Sequence, residues 1–381
     1  MKKFDLIVVG AGILGTSHAL QAARLGRSVL LLEKDNRPVN ATVRNFGQAV
    51  PSGLSGRWHE YGRTGVKLYK EIQQKFDISV RPFGSVYVAS DDEELQILHE
   101  AQALFNDKDY PNEFLSPEKT RATHPYLRKD YVKGSLFFPD DVSVEPDRMI
   151  YQLLQYAQNE YGVTYLPNTT VIDCIPTQDG VDIITSGKQR FAGSKVVICS
   201  GDEFRLLFPE IFAGSGLVVS KLQMMQTNPI PVSMKGNILT GLTIRRYESF
   251  EECPSFSKLT VPEHYTELKK WGIHILFKQA IDGSIIVGDS HEYASATQTN
   301  DLGFNLKEYV NELMLAEAER IVDFPVRDIR TTWAGYYAQH KDEIFEHDLA
   351  ENLHIVTGIG GKGMTSSLGY AEENIKKWGL C

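Results

Sequence analysis

The sequence is poor in the features that mark several broad classes of protein. Only four cysteines occur in 381 residues, at Cys174, Cys199, Cys253 and Cys381, and no two of them form a CxxC pair. That spacing excludes the common zinc and dithiol motifs, so no metal site is expected. In a chain this long, dispersed cysteines suit a reducing, cytoplasmic setting. No apolar run approaches the roughly 20 residues that span a bilayer, so no transmembrane segment is expected. Positive charge is in deficit, with 40 Lys and Arg against 49 Asp and Glu and a net charge of -9. A nucleic-acid backbone calls for a basic surface, so no nucleic-acid partner is expected. Internal repeats and low-complexity tracts are absent. Hydrophobic residues at 42% and charged residues at 23% match an ordinary globular protein, and the length favours more than one domain.

The N-terminus mimics a secretory leader, with Lys2 and Lys3 ahead of apolar residues. Asp5 interrupts that pattern, and Gly10, Gly12 and Gly15 fall where an apolar helix would have to continue. A buried strand over residues 4–9 accounts for the segment better. A helix over 13–25, closed by Gly26, and a second strand over 28–32, ending at Glu33, follow from the apolar periodicity. Residues 36–56 are rich in Asn, Gly, Pro and Ser and read as a loop, and 57–76 as a helix. Strands of a different sheet are expected at 80–89 and 134–138. Residues 149–160 read as a helix, and 163–166, 171–175, 181–185 and 195–199 as strands. The stretch 217–291 reads as strand-rich, with a hairpin at Asp282-Gly283. A helix over 307–321 and a strand over 353–356 complete the pattern, before a glycine-rich loop and a helix from about Thr365.

Gly10-x-Gly12-x-x-Gly15 stands between a strand and a helix, as a dinucleotide-binding turn requires. Gly10 permits the tight turn, Gly12 lets the main chain approach a pyrophosphate, and Gly15 lets helix and strand pack closely. The phosphates then face the positive end of the helix dipole, with Ile13 and Leu14 in the first turn. Glu33 closes the second strand where a carboxylate accepts from ribose hydroxyls and repels a 2′-phosphate; Lys34 follows it. The fingerprint does not choose between FAD and NAD. The far end of the chain does. There Gly358, Gly360, Gly361 and Gly363 precede Met364 and Thr365 at a helix start. Such a loop lets backbone press against a flat ring system. Its N–H groups and Lys362 favour the negative charge of a reduced flavin.

These segments resemble the D-amino-acid-oxidase-like FAD-dependent oxidoreductase superfamily, which includes glycine oxidase and sarcosine oxidase. The resemblance also rests on Arg44-Asn45-Phe46-Gly47, on Val196-Val197-Ile198-Cys199-Ser200-Gly201 and on Trp333-Ala334-Gly335. It implies that Arg44 to Gly47 contact FAD, that Val171 lies near the adenine, and that Ser200 and Gly201 lie near the pyrophosphate. A narrower likeness, carried by Arg245-Arg246-Tyr247, by Gly288-Asp289-Ser290-His291-Glu292-Tyr293 and by the final glycine loop, is to a bacterial subfamily associated with aminophosphonate catabolism. The implied architecture is α/β: a discontinuous Rossmann-type FAD-binding domain (1–78, 143–216 and 325–381) with an inserted, strand-rich α+β substrate domain (79–142 and 217–324). The implied reaction is oxidation of a small amine, such as an amino acid, an N-methyl amine or an aminophosphonate. Hydride leaves the α-carbon for flavin N5, and the resulting imine hydrolyses.

Two departures from the family pattern shape the expectation. The arginine that grips a carboxylate after Trp-x-Gly is replaced by Tyr336-Tyr337-Ala338, and no cysteine between 358 and 365 is there to tether the flavin. FAD should therefore be noncovalent, and the substrate anion should be held elsewhere, with Arg245, Arg246 and Lys362 as candidates. His291 is a candidate proton acceptor, while Trp333, Tyr336 and Tyr337 are candidates for pocket walls. His274, alternating with apolar residues, reads as structural. The electron acceptor is open between oxygen and a carrier. A 2-hydroxy acid dehydrogenase and a flavin-binding electron-transfer subunit are the competing readings.

Overall fold

Leu6, Ile7 and Val8 are fully buried in the first strand, Lys3–Val9. A strand covered on both faces belongs in the middle of a parallel sheet. It pairs in parallel with Val29–Leu32 on one side and Arg190–Ile198 on the other. In the computed structural model, which describes residues 3–381, Met1 and Lys2 of the leader-like stretch lie outside the described residues. The first sheet runs Phe345–Ala350, Leu353–Thr357, Arg190–Ile198, Lys3–Val9, Val29–Leu32, Thr164–Leu166, and carries Gly180–Thr185 and Val171–Thr177 as an antiparallel extension. The helix Ile13–Arg24 crosses from the first strand to the second, and Gly363–Lys377 leaves the last. This is the doubly wound, Rossmann-type half of a mixed α/β fold.

The second sheet has nine strands. It is centred on Val218–Thr227, Leu276–Gln279 and Ile285–Gly288, and extends through Asn237–Leu239 to Ser85–Ala89 and Gly134–Phe138. The hairpin expected at Asp282-Gly283 joins Leu276–Gln279 to Ile285–Gly288. Two features differ from expectation. Residues 241–270 are not strands but a series of short helical turns, including Gly241–Ile244, Glu248–Glu251 and Thr266–Lys270. Helices of four or five residues are too short to show a 3.6-residue period. The strand Ile329–Gln339, inside the stretch grouped with the dinucleotide-binding part, pairs along its length with Val218–Thr227 in the second sheet. Most of its side chains are half-buried or exposed, so no alternation marks it. The helix Asp92–Asp107 is capped by the Asp91 side chain, which accepts from the Glu94 N–H.

Two helices, one from the N-terminal part of the chain and one from its C-terminal end, explain how the glycine loop is held. Gly363–Lys377 lies against Gly56–Gln73, with Gly369 facing Tyr61 and Gly65 facing Thr365. A Cβ on Gly369 would stand 2.4 Å from the Tyr61 carbonyl oxygen, and one on Gly65 2.6 Å from the Thr365 carbonyl oxygen. Neither backbone has room to retreat. No helix among the described residues is long and apolar enough to cross a membrane. Gly369→Ala is expected to destabilise the protein by about 1–3 kcal/mol, seen as a lower thermal midpoint in calorimetry; an unchanged midpoint would contradict the close packing.

Candidate active site

The turn after the first strand is built as its glycines require. Gly10 has φ +100°, and a Cβ there would stand 2.3 Å from the Cys199 carbonyl oxygen. A Cβ on Gly15 would fall 1.9 Å from the Gly10 carbonyl oxygen, so helix and turn touch through backbone alone. The Ile13 N–H donates to Thr42 Oγ1 at 2.9 Å, which ties the helix start to the following loop. Glu33 is buried and accepts from the Ala11 N–H at 2.9 Å through Oε2. Around these groups opens a cleft lined by Gly10, Gly12, Glu33, Lys34, Val171 and Ser200, with Gly201 beside them. Ile13, Leu14 and Gly15 stand behind it in the first turn. Lys34 is paired with Asp35 at 2.8 Å. Ser200 Oγ is buried without a hydrogen-bond partner, as expected for a group awaiting a polar ligand.

A second cavity, of about 660 Å³, begins where the first ends, at Ala41, and opens between the two sheets. Arg44, Asn45, Phe46, Gly360, Gly361 and Lys362 line it, with Met364 and Thr365 at the helix start. Asn45 is held by the Ala41 and Thr42 carbonyls and accepts from the Gly47 N–H at 2.8 Å. Gly47 has φ +74°, and a Cβ there would stand 2.3 Å from the Val144 carbonyl oxygen. Gln48 Nε2, also in this wall, is buried without a partner. Gly358 and Gly363 shape the loop without lining the cavity. The helix begins at Gly363, earlier than expected, after a tight turn over Gly360–Lys362. The two backbone cradles, distant in sequence, thus line adjacent cavities that share Ala41, with the orphaned Ser200 group in the first and Gln48 in the second. These residues fit a long dinucleotide cofactor with a flat ring at one end.

The far wall of the second cavity carries the charge. His274, Asp289, His291, Arg246, Tyr247 and Tyr337 line it. His274 Nε2 stands 2.7 Å from Asp289 Oδ1, and His291 Nδ1 is 3.9 Å from the same oxygen. Burial first, and then the Arg246 and His274 charges, push the His291 pKa down to about 3, against an opposing pull from Asp289. His291 is therefore neutral. Its Nδ1–H donates to the Gly272 carbonyl at 3.0 Å, and its Nε2 accepts from the Tyr337 hydroxyl at 3.1 Å. Burial pushes the Asp289 carboxyl up, but the neighbouring His274, His291 and Arg246 more than offset this and hold it below the usual range.

The structure redistributes the roles expected from sequence. Arg245 does not line the cavity. Its guanidinium is consumed by Asp91 at 2.6 Å, Glu94 at 2.6 Å and Glu93 at 3.4 Å. Adjacent residues on a helical turn point apart, so Arg246 takes the cavity instead. Among the described residues its guanidinium hydrogen-bonds only to neutral acceptors, the Gly272 carbonyl at 3.4 Å and the Tyr293 hydroxyl at 3.2 Å. Lys362 does reach the cavity, but its ammonium is paired with Glu248 at 2.8 Å. Both ring nitrogens of His291 are engaged, which leaves it no lone pair for a substrate proton. Trp333 lies in an adjoining cavity, where its Nε1–H donates to the Arg44 carbonyl at 3.2 Å. Tyr336 lines both cavities and donates to the Gly303 carbonyl at 2.8 Å. His274, read from sequence as structural, is in the cavity wall. The neighbourhood of Asp289, within Gly288-Asp289-Ser290-His291, depends on a strand pairing that sequence spacing does not reveal.

A Rossmann-type turn, a second glycine cradle and a charged cavity joining them define a flavin-dependent oxidoreductase. The chain belongs to the family of FAD dependent oxidoreductases named DAO, whose model matches residues 5–374. It is similar to a glycerol 3-phosphate dehydrogenase of Caloramator mitchellensis, with 24% identity over 96% of this chain and 71% of that one. Among solved structures, glycine oxidase from Geobacillus kaustophilus superposes with a TM-score of 0.76 at 17% identity, covering 99% of this chain and 95% of that one. L-alpha-glycerophosphate oxidase from Mycoplasma pneumoniae, solved with FAD bound, gives 0.78 at 16% identity, covering 100% and 95%. The protein is thus an FAD-dependent enzyme.

Two outcomes follow. With no cysteine in the glycine loop, acid precipitation should release all of the yellow chromophore into the supernatant; chromophore retained in the pellet would show a tether. His291 takes up a proton only near pH 3 when folded, but near 6.5 when unfolded. Its contribution to stability is complete above about pH 6.5 and is lost as pH falls towards 3, because the unfolded chain binds more protons there. Denaturant titrations should show His291→Asn less sensitive than the parent by about 2 kcal/mol between pH 7.5 and 5.

Proposed function

We propose that the enzyme oxidises a small amine carrying a carboxylate or phosphonate, with Arg246 as the grip on the anion. One observation carries this reading. Arg246 is a part-buried guanidinium in the cavity wall with no carboxylate in ion-pair contact among the described residues. A buried cation without a counter-ion is costly, and a planar guanidinium matches carboxylate or phosphonate oxygens in a two-pronged geometry. Its neighbour Arg245 has three carboxylates and serves structure.

Gly10, Gly12, Glu33 and Ser200 would hold the adenosine diphosphate end of FAD; Arg44 to Gln48 and the Gly360-Gly361 turn would hold the ring end. Bound FAD supplies a two-electron acceptor that takes hydride equivalents. The chain's own contribution is to hold and dehydrate. Leu222, Met224 and Leu276 form an apolar wall to the cavity, which strengthens each polar contact by excluding water. The Tyr337 hydroxyl is fixed by His291 at 3.1 Å. The missing arginine after Trp-x-Gly fits this arrangement, because Arg246 supplies a guanidinium to the same cavity. Glycine oxidase, a solved neighbour by name, supports an amine; the aminophosphonate resemblance supports a phosphonate.

A second reading is oxidation of an alcohol bearing the same kind of anion, as the name of the glycerol 3-phosphate relative suggests. The His274–Asp289 contact favours it, since such a pair suits removal of a hydroxyl proton. Anaerobic mixing with 2-aminoethylphosphonate, its N-methyl derivative, glycine, sarcosine, 2-hydroxyglutarate and glycerol 3-phosphate decides, because only the true class bleaches the flavin absorbance. Arg246→Gln should raise KM for the anionic substrate by roughly 10- to 100-fold, the worth of a charged hydrogen bond. Arg245→Gln should lower stability and leave KM nearly unchanged. Equal KM effects from the two variants would remove the basis for the assignment.

A further inference from the structure

Asp289 is the group the site has left unexplained. It is 7% exposed, lines the cavity, and meets only His274 and His291. Its carboxylate has no other hydrogen-bond or ion-pair partner among the described residues, and Oδ1 lacks a well-aligned donor. A buried carboxylate facing a cavity, beside a guanidinium that has no carboxylate in ion-pair contact among the described residues, presents opposite charges to one small molecule. We propose that Asp289 binds the substrate's ammonium group and accepts its proton, with His274 as the positioning residue that fixes the carboxylate. The assignment rests on the reading of Arg246 as the anion grip, and extends it to a zwitterion clamp.

The chemistry balances within the site. An ammonium has no lone pair on nitrogen and cannot release hydride from the adjacent carbon. The N–H bond breaks, its electron pair stays on nitrogen, and the proton goes to the free carboxylate oxygen of Asp289, giving a neutral amine and a neutral acid. Burial favours the neutral form of each partner. Binding of the substrate anion also cancels the Arg246 charge that helps keep Asp289 ionised. His274 is arranged for its role: Nε2 faces Asp289, and Nδ1 faces the Thr243 hydroxyl at 3.3 Å, a group that rotates to donate or accept. The other groups around this pair are Tyr247, whose ring centroid is 5.7 Å from His274, and Arg246, His291 and Tyr337. His291 is neutral and fully engaged, so it does not compete for the proton.

The same three groups, His274, Asp289 and His291, bring ligand atoms within 4.8 Å of one another, a spacing that a metal ion spans. The surroundings oppose a metal. Arg246 adds positive charge beside Asp289, and His291 Nδ1 is already committed as a donor to the Gly272 carbonyl.

The test uses the FAD-loaded enzyme and unreactive probe pairs that differ only in the amine: 2-aminoisobutyrate against isobutyrate, and (2-amino-2-methylpropyl)phosphonate against 2-methylpropylphosphonate. Binding is read from the flavin absorbance shift. The parent enzyme should prefer the amine of one pair at least tenfold. Asp289→Asn should reduce that preference below about threefold while still binding the amine-free member, and Arg246→Gln should lose both members. With an oxidisable amine, the pH at which anaerobic bleaching reaches half its maximum rate should rise by about two units in Asp289→Asn and about one in His274→Gln. Flavin content reports folding for each variant. If Asp289→Asn keeps both the amine preference and the pH profile, the assignment of Asp289 is overturned and that of Arg246 survives. If neither pair binds the parent, the anion reading falls and this one with it. Stoichiometric zinc retained by the parent and lost in Asp289→Asn, with amine preference unchanged, would replace the clamp by a metal site.

Discussion

Everything in this molecule hangs on backbone meeting backbone at the end of the first strand. The carbonyl of Cys199 occupies the space a side chain on Gly10 would need, and the carbonyl of Gly10 occupies the space needed by one on Gly15. That contact fixes the helix start against the sheet, and so sets the direction in which the helix dipole points. The Gly369 and Gly65 contacts do the same for the C-terminal helix. The two cradles are held by steric exclusion together with side-chain hydrogen bonds such as Glu33 to the Ala11 N–H and Thr42 to the Ile13 N–H.

Within that frame the site is an exercise in where charge is left uncancelled. Several charged groups in and around the site are neutralised locally: Arg245 by three carboxylates, Lys362 by Glu248, Lys34 by Asp35. Among the described residues Arg246 has no carboxylate in ion-pair contact and Asp289 meets histidines rather than a Lys or Arg, and both line the same space. Burial makes that pair of vacancies meaningful. In water each would be solvated at little cost, whereas in a partly closed cavity each retains a demand for a counter-charge. His291, held neutral by the same burial, contributes hydrogen-bond geometry instead of charge.

The cofactor half of the protein was legible because its requirements are local. Gly10, Gly12, Gly15 and Glu33 lie within one strand–helix–strand unit, and Ser200 follows a strand whose apolar run announces its burial. The substrate half was legible only in part. Arg245 and Arg246 are neighbours with the same side chain, and nothing in composition separates the structural one from the one facing the cavity. His274 looked structural because it sits in an apolar stretch. The strand Ile329–Gln339 escaped notice because its half-buried side chains do not alternate.

The sequence by itself determined the dinucleotide turn, the second glycine cradle and the α/β class, since each depends on steric rules acting over a few residues. Tertiary structure alone decided which charges are spent and which remain free. That outcome depends on pairings such as Arg245 with Asp91 and His274 with Asp289, between segments whose separation along the chain carries no information about their distance in space. Short-range backbone geometry is written in residue type; long-range electrostatic balance exists only once the sheets have closed around it.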